Sequence, residues 1–255
     1  MQLQYQYYYF KSALPPETCD RILDMGIKRL EDERARGHTV EANTHGDRQK
    51  SSVAGGAGSP QGEFTKEELK EQGVELSNTY VRDSNVTWLN EQWIYELIHP
   101  FVHEANLKAG WNWQWDYSES FQFTEYKPGG FYSWHKDGAS DTPGAYRRYI
   151  HGITPLPMKP DGRLPERYTT DPNMIGKVRK LSVTINLNKP GEYEGGNLKF
   201  DYGPHNDGNR FYECEEIRPQ GSIIVFPSFI DHTVTPVTSG TRYSLVLWNL
   251  GAPWK

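Results

Sequence analysis

Two histidines and one aspartate in the second half of this sequence could form a metal site. His135 and Asp137 stand two residues apart, and His232 lies near the carboxyl end of the chain. If residues 131–137 form a strand, side chains two positions apart point to the same face and could reach one ion. Two imidazoles and one carboxylate bind iron(II) while leaving coordination positions open. The pattern therefore predicts a metal centre with His232 as its third ligand.

An arginine ten residues after His232 could bind an anion beside this metal. The loop 238–240 is expected to turn the His232 strand into a hairpin, with Val246 opposite His232. The alternating residues that would then share the inner face with His232 are Arg242, Ser244, Val246 and Trp248. Arg242 would lie ~13 Å from Val246 at about 3.3 Å per residue, which leaves room for a small diacid. A guanidinium binds a carboxylate through paired hydrogen bonds.

Turn residues divide the chain from about residue 118 onward into short segments that are typical of β-strands. The predicted strands are residues 118–126, 131–137, 180–188, 197–200, 222–226, 232–237 and 241–249. Helical patterns precede them at about 15–36 and 91–109, after an alternating amino-terminal strand. We therefore expect a mainly β fold with flanking helices (α+β), a sandwich or jelly roll. It would be one domain over residues 1–255, with helical support in 1–115 and the jelly-roll core in 116–255.

Two long polar segments interrupt these patterns. Residues 38–73 are rich in glycine, and residues 138–177 are rich in proline, arginine and tyrosine. Long connections in a compact domain are usually functional. We expect both segments to be mobile lids that border the metal site.

Composition excludes several classes of protein. The formal net charge of −5 argues against a general nucleic-acid binder, and no apolar run is long enough to cross a bilayer. The first ten residues lack the charged start and continuous apolar stretch of a signal peptide. The two cysteines, Cys19 and Cys214, are too few for a disulfide framework, which fits a cytoplasmic location.

A second histidine pair has helical spacing. His99 and His103 are four residues apart, but no glutamate lies between them and Pro100 follows the first. This differs from the zinc-binding helix of metalloproteases. We interpret the pair as part of a helix face.

A set of spaced residues resembles the prolyl 4-hydroxylase branch of the 2-oxoglutarate/Fe(II) oxygenases over residues 118–250. It comprises Tyr126-x-x-Gly129-x-x-Tyr132-x-x-His135-x-Asp137, the stretch Leu181–Asn188, Gly195-Gly196, and His232 with Arg242-x-Ser244. The resemblance implies a double-stranded β-helix (a cupin-like jelly roll). It also implies Fe(II), 2-oxoglutarate as co-substrate and O2, with ascorbate as a candidate accessory reductant.

The resemblance assigns roles to individual residues. The metal positions map onto His135, Asp137 and His232, and the position that binds the far carboxylate of 2-oxoglutarate maps onto Arg242. Tyr126 takes the place of a tyrosine that hydrogen-bonds the co-substrate. The remaining candidates for the cofactor pocket are Asn186, Ser244, Trp248, Ser182 and Thr184. Asn186 stands where some relatives have a tyrosine; Ser182 and Thr184 could equally fill the barrel, and Trp248 could equally belong to the core.

The implied activity is oxidative decarboxylation of 2-oxoglutarate coupled to hydroxylation, with prolyl residues of a peptide or protein as substrate and ring C4 as the position. A hydroxylase of a free amino acid or other small metabolite is the alternative enzyme. A catalytically silent jelly-roll binding module is the alternative outside enzymes. Nucleic-acid demethylases of the superfamily usually carry a second arginine six residues after the first. This chain has Trp248 at that position, which together with the acidic net charge argues against a nucleic-acid demethylase. The sequence leaves the oligomeric state open.

Overall fold

The computed structural model describes residues 3–37, 44–45, 80–138, 145–154, 168–203 and 208–254, and these residues are mainly β. Two α-helices occur among them, α1 (Pro16–Ala35) and α2 (Gln92–Lys108). The strands are β1 (Tyr8–Phe10), β2 (Thr44–His45), β3 (Tyr80–Asp83), β4 (Asn85–Leu89), β5 (Tyr117–Ser118), β6 (Phe121–Tyr126), β7 (Phe131–His135), β8 (Arg147–Arg148), β9 (Tyr168–Thr169), β10 (Val178–Asn186), β11 (Tyr193–Gly195), β12 (Leu198–Asp201), β13 (Phe211–Glu213), β14 (Ile223–Pro227), β15 (Asp231–Val234), β16 (Val237–Gly240) and β17 (Arg242–Gly251).

Two antiparallel sheets enclose a cavity between them. The major sheet has the order β1-β14-β10-β17-β6-β4, with β5 paired to β17, and the minor sheet has the order β13-β12-β15-β7-β3-β2. Most strands that are adjacent in a sheet are far apart along the chain, as in a jelly roll. This confirms the predicted mainly β fold with flanking helices, a double-stranded β-helix.

The two helices pack on the outer face of the major sheet. Ile22 and Leu30 of α1 and Ile94 and Ile98 of α2 are buried in one apolar cluster with strand residues of that sheet. These positions lie on one face of each helix, as the sequence periodicity predicts. Gly26 lets α1 approach closely, because a Cβ there would lie 2.2 Å from the ring of Phe123.

The inner face of the major sheet, which faces the minor sheet, is ordered in rows of cross-strand partners. One row runs across four strands through Thr184, Val246, Gln122 and Trp88. The neighbouring rows are Ser182 with Trp248, then Asn186, Ser244, Thr124 and Val86, and then Arg242 with Tyr126. The alternation of Arg242, Ser244, Val246 and Trp248 onto the inner face is thus confirmed, and these four residues line the cavity together with His232.

The predicted hairpin between the His232 strand and the Arg242 strand is wrong. β15, which carries His232, pairs with β12 and β7, whereas β17 pairs with β10 and β6 in the other sheet. Residues 237–240 form β16 and pair with β11 instead of closing a turn. Pro236 precedes β16 and has no N–H to donate, so the ladder of β15 does not continue through it.

Much of the two predicted lids lies outside the described residues. Of segment 38–73 the structure describes only residues 44–45, and of segment 138–177 it describes 138, 145–154 and 168–177. The mobility of both segments stays a prediction. Among the described residues, neither helix is long and apolar enough to cross a membrane.

Candidate metal centre

Three predicted ligands meet at the inner face of the minor sheet. One ligand atom from each of His135, Asp137 and His232 lies within 4.8 Å of the other two. The Nε2 atoms of His135 and His232 lie 3.7 and 3.6 Å from the two carboxylate oxygens of Asp137. These distances are too long for hydrogen bonds between the ligands. They leave space for one ion between groups that bind metals at roughly 2.0–2.2 Å.

Backbone contacts orient both imidazoles toward this space. Nδ1 of His135 lies 2.8 Å from the carbonyl of Ser133, and Nδ1 of His232 lies 3.0 Å from the carbonyl of Ile230. A carbonyl only accepts, so Nδ1 of each ring carries the hydrogen, and the neutral form of each ring has its free lone pair on Nε2. His135 and His232 are also direct cross-strand partners, with ring centroids 4.1 Å apart.

Asp137 reaches the site from a bend and not from a strand. The predicted strand 131–137 ends at His135, so the expected shared strand face does not apply to Asp137. The bend is fixed because Gly138 N donates to Ser228 O at 2.6 Å and Arg179 donates to the Asp137 carbonyl at 3.4 Å.

The electrostatics of the site suit a cation. Burial lowers the pKa of His232 to about 4, with a further contribution from His135, so this imidazole is neutral at pH 7. Burial alone would raise the pKa of the Asp137 carboxyl, but His232, His135 and the Arg179 guanidinium hold it below its usual range. A neutral imidazole and an ionised carboxylate are the forms that bind metal.

Arg242 lines the same cavity and is the largest fully buried side chain among the described residues, with 1% of its surface exposed. Its Nη1 donates to Ser244 Oγ at a long 3.4 Å, and its Nε has no hydrogen-bond partner. No carboxylate of the described residues pairs with it. Gly196 makes room for this side chain, because a Cβ there would lie 2.8 Å from Arg242 Cδ. A buried cation without a counter-charge indicates an anion site.

The structure brings most other predicted site residues to the cavity. Tyr126, Ser244, Trp248 and Thr184 line it, and the Arg242 guanidinium lies 5.4 Å from the Tyr126 ring centre. Two residues on the same face are not among the lining residues. Ser182 is hydrogen-bonded to Ser228, at 2.9 Å. Asn186 donates to the carbonyls of Asn188 and Arg218, while its buried Oδ1 lacks a partner.

Arg82 is a cavity residue that sequence reasoning missed. It lies on β3 opposite Tyr132, with its guanidinium 4.6 Å above the Tyr132 ring, and that ring stacks on His135 at 3.5 Å between centroids. Its Nε donates to Ser84 Oγ at 2.7 Å, and no carboxylate among the described residues pairs with it. No motif marks this position, because β3 reaches the site only through pairing with β7.

A partly buried ion pair beside the metal ligands was also missed. The Arg179 guanidinium binds both oxygens of Glu119, at 2.6 and 2.7 Å, and stacks 3.8 Å from the Trp248 ring centre. Tyr146, from the second predicted lid, donates to the same carboxylate at 3.0 Å. Among the described residues, that lid thus contacts the ion pair but contributes none of the residues that line the cavity, so its role as a lid over the metal site stays a prediction. The two partners are sixty residues apart in sequence, so no local pattern reveals them.

His99 and His103 lie on α2, away from the cavity. His99 Nε2 is 3.0 Å from Ser118 Oγ, and His103 stacks on Trp115 with ring centroids 4.5 Å apart. They form part of one helix face, as the sequence predicts, and this face packs against Trp115 and β5.

Known protein structures share this fold. The chain superposes on a prolyl-4-hydroxylase of Pseudomonas putida with a TM-score of 0.53 and 14% identity, covering 96% of this chain and 92% of that one. A viral collagen prolyl hydroxylase of Paramecium Bursaria Chlorella virus-1, solved with 2OG, gives a TM-score of 0.53 and 16% identity over 98% of both chains. A prolyl hydroxylase of Trichoplax adhaerens, solved with a hypoxia inducible factor peptide fragment, gives 0.54 and 14% identity, over 96% of this chain and 84% of that one.

Sequence relatives point to the same group. A PKHD-type hydroxylase of Xylella fastidiosa is 32% identical over 130 residues, which are 50% of this chain and 42% of that protein. A PKHD-type hydroxylase of Prochlorococcus marinus is 45% identical over 69 residues, 27% of this chain and 28% of that protein. The matches cover less than half the length of these relatives. The model of the 2OG-Fe(II) oxygenase superfamily matches residues 121–249, half of the chain and all three candidate ligands, so this chain belongs to that superfamily.

Proposed function

We propose that this protein is a 2-oxoglutarate- and Fe(II)-dependent dioxygenase that hydroxylates prolyl residues in a peptide or protein, at ring C4. One observation carries the co-substrate assignment: Arg242 is a buried, unpaired guanidinium in the cavity that holds the His135, Asp137 and His232 cluster. A metal site and an anion site in one cavity suit a ligand that chelates the metal at one end and carries a carboxylate at the other.

His135, Asp137 and His232 would hold the iron. When bound, Fe(II) supplies the redox chemistry by which O2 and 2-oxoglutarate yield succinate, carbon dioxide and a hydroxylated C–H bond. The chain prepares this site by keeping the His232 imidazole neutral and the Asp137 carboxylate ionised, and by shielding both groups from water. The hydrogen bonds from the two Nδ1 atoms keep both rings in the orientation that presents Nε2.

Arg242 would bind the far carboxylate of 2-oxoglutarate. Two parallel hydrogen bonds from its guanidinium would satisfy the unpartnered Nε. The hydroxyl groups of Ser244 and Tyr126 lie on the same side of the sheet as Arg242. Ser244 is two residues further along β17, and Tyr126 is the cross-strand partner of Arg242 on β6. Because Arg242 is almost inaccessible to water, this pairing contributes more than a surface contact does.

The cavity walls suit a substrate with a compact apolar ring attached to a polar backbone. Tyr132 and Trp248 offer aromatic surfaces near the metal ligands, and Arg82 offers N–H donors for a peptide carbonyl. The similar structures are of prolyl hydroxylases, which supports a prolyl substrate, and the names of the sequence relatives support hydroxylation. Peptidyl proline combines the ring and the backbone carbonyls.

Mass spectrometry tests this proposal. Proline-containing peptides are incubated with the protein, Fe(II), ascorbate and 2-oxoglutarate, and product and succinate are measured together. The expected result is the gain of one oxygen atom on a prolyl ring, at C4 by fragmentation and NMR, with matching succinate. Oxygen gained by free proline or another metabolite, and by none of the peptides, identifies a metabolite hydroxylase instead. Absence of succinate with every substrate supports a silent binding module.

The accessory reductant and the compartment belong to the same proposal. Omitting ascorbate should shorten the productive phase of the reaction if it is the accessory reductant. Cys19 and Cys214 are both buried and unpaired, which supports a cytoplasmic, reducing location. Fractionation of cells that express the protein checks the compartment.

A further inference from the structure

An exposed tryptophan extends the cavity floor beyond the residues that line it. Trp88 is on β4, the terminal strand of the major sheet, opposite Gln122, which lines the cavity. Its neighbours Thr87 and Leu89 are fully buried on the helix side, so the Trp88 side chain lies on the cavity side. Its ring centroid is 6.3 Å from that of Trp248. The two indoles therefore form a continuous aromatic surface from the cavity wall to the solvent.

The Trp88 end of this aromatic surface is exposed to solvent, whereas the backbone of β4 that carries it is held in place. Trp88 is 45% exposed, whereas Trp248 is 6% exposed. Arg29 of α1 contacts the Trp88 carbonyl at 3.5 Å and pairs with Glu91 at 3.1 Å, which ties this end of β4 to the helix. Tryptophan is uncommon on surfaces that bind nothing and is enriched at the centres of binding sites. An indole on a fixed strand loses little conformational freedom when a ligand packs on it.

The neighbouring corner of the chain also faces the cavity. β3 belongs to the minor sheet and β4 to the major sheet, and Ser84 alone separates them. Arg82 on β3 and Trp88 on β4 therefore lie on the two sides of this corner, one beside Tyr132 and the other beside Trp248. A peptide that enters beside this corner would meet the N–H donors of Arg82 for its carbonyl groups and the indole of Trp88 for its side chains.

We propose that Trp88 binds a residue that flanks the target residue of an extended peptide, and so selects proline at that flanking position. The inference rests on the proposed function, since it requires a peptide substrate. A segment with several prolines favours the polyproline II conformation, which rises about 3.1 Å per residue and presents one pyrrolidine ring after another. One ring enters the cavity beside Trp248, and a flanking ring packs on the face of Trp88. Preorganisation of such a segment reduces the entropy lost on binding.

Kinetics of Trp88→Ala and Trp88→Phe with two peptides test this role. One peptide consists of repeated Pro-Pro-Gly triplets, and the other has the same length but a single proline within glycine. We expect Trp88→Ala to raise KM for the repeat peptide about tenfold, the loss typical of one well-packed aromatic contact, with kcat unchanged. KM for the single-proline peptide should stay as in the wild type, and Trp88→Phe should recover part of the loss. Calorimetry with Zn(II) and 2-oxoglutarate, which does not turn over, should show the same change in Kd.

Trp254→Ala is the matched control. Trp254 is 42% exposed and packs on Trp113 and Lys180, away from the residues that line the cavity, so both peptides should behave as with the wild type. Equal losses on the two peptides in Trp88→Ala, or no loss on either, overturn the inference while leaving peptide hydroxylation intact. If the wild-type protein hydroxylates neither peptide, the proposed function and this inference fall together.

Discussion

His135 and His232 face each other across β7 and β15, with ring centroids 4.1 Å apart, and each donates Nδ1–H to the carbonyl two residues earlier in the chain. The two imidazoles thus have the same local geometry although ninety-seven residues separate them. Among the described residues, Asp137 completes the cluster, and it comes from the bend after β7.

Loss of His232 should abolish metal binding. Removing a ligand should weaken affinity by more than the roughly 10- to 100-fold that loss of an outer hydrogen-bond partner costs. Calorimetric titration of Mn(II) into His232→Ala measures this, and added metal should raise Tm in the wild type but not in the variant. His103→Ala, on the helix face beside Trp115, is the control and should bind metal normally. Wild-type affinity in His232→Ala would show that the metal lies elsewhere.

Arg242→Ala should weaken 2-oxoglutarate binding much more than it weakens metal binding. A charge-assisted pair contributes about 1.5–3 kcal/mol, or roughly ten- to hundredfold in affinity. Anaerobic calorimetry with Mn(II)-loaded protein gives both constants. Lys199→Ala is a suitable control, because that lysine pairs with Glu213 outside the cavity lining. Unchanged 2-oxoglutarate affinity in Arg242→Ala would contradict the assignment of Arg242 as the carboxylate-binding residue. A loss of this affinity in Lys199→Ala would assign that role to Lys199.

Gly196→Ala should displace the Arg242 side chain and so weaken 2-oxoglutarate binding. Gly196 has φ of +58°, and an added Cβ would lie 2.8 Å from Arg242 Cδ. Gly191→Ala carries a similar backbone strain, since φ is +84°, but nothing lies within 4 Å of its Cβ. Both variants should lose about 1–2 kcal/mol of stability for the left-handed backbone. Only Gly196→Ala should also raise the Kd for 2-oxoglutarate, and a similar Kd in both variants would count against the contact.

Glu119→Gln should destabilise the fold near the metal ligands. The partly exposed Arg179 guanidinium would lose its buried counter-charge, and the cost should approach the roughly 3 kcal/mol of breaking a fully buried pair without exceeding it. Urea denaturation measures the change in the free energy of unfolding. Glu104→Gln breaks an exposed pair with Lys108 on α2 and should have little effect, since such pairs contribute little. Equal unfolding free energies for the two variants would show that the Glu119 pair is not important for stability.

The sequence by itself was sufficient to identify the candidate metal ligands and the candidate anion-binding arginine. His135, Asp137, His232 and Arg242 carry distinctive chemistry, and the alternation after Arg242 assigned one face of β17 correctly. Hydrophobic periodicity likewise located α1 and α2 to within one or two residues. These properties depend on near neighbours in the chain, where a strand repeats every two residues and a helix every 3.6.

The tertiary structure alone decided how these elements meet. His232 and Arg242 belong to opposite sheets and not to one hairpin, because strand pairing depends on contacts between distant parts of the chain. Arg82, the Glu119–Arg179 pair and Trp88 reach the cavity region through such pairings. Local sequence patterns do not encode them, since their partners lie tens of residues away and become neighbours only when the two sheets close around the cavity.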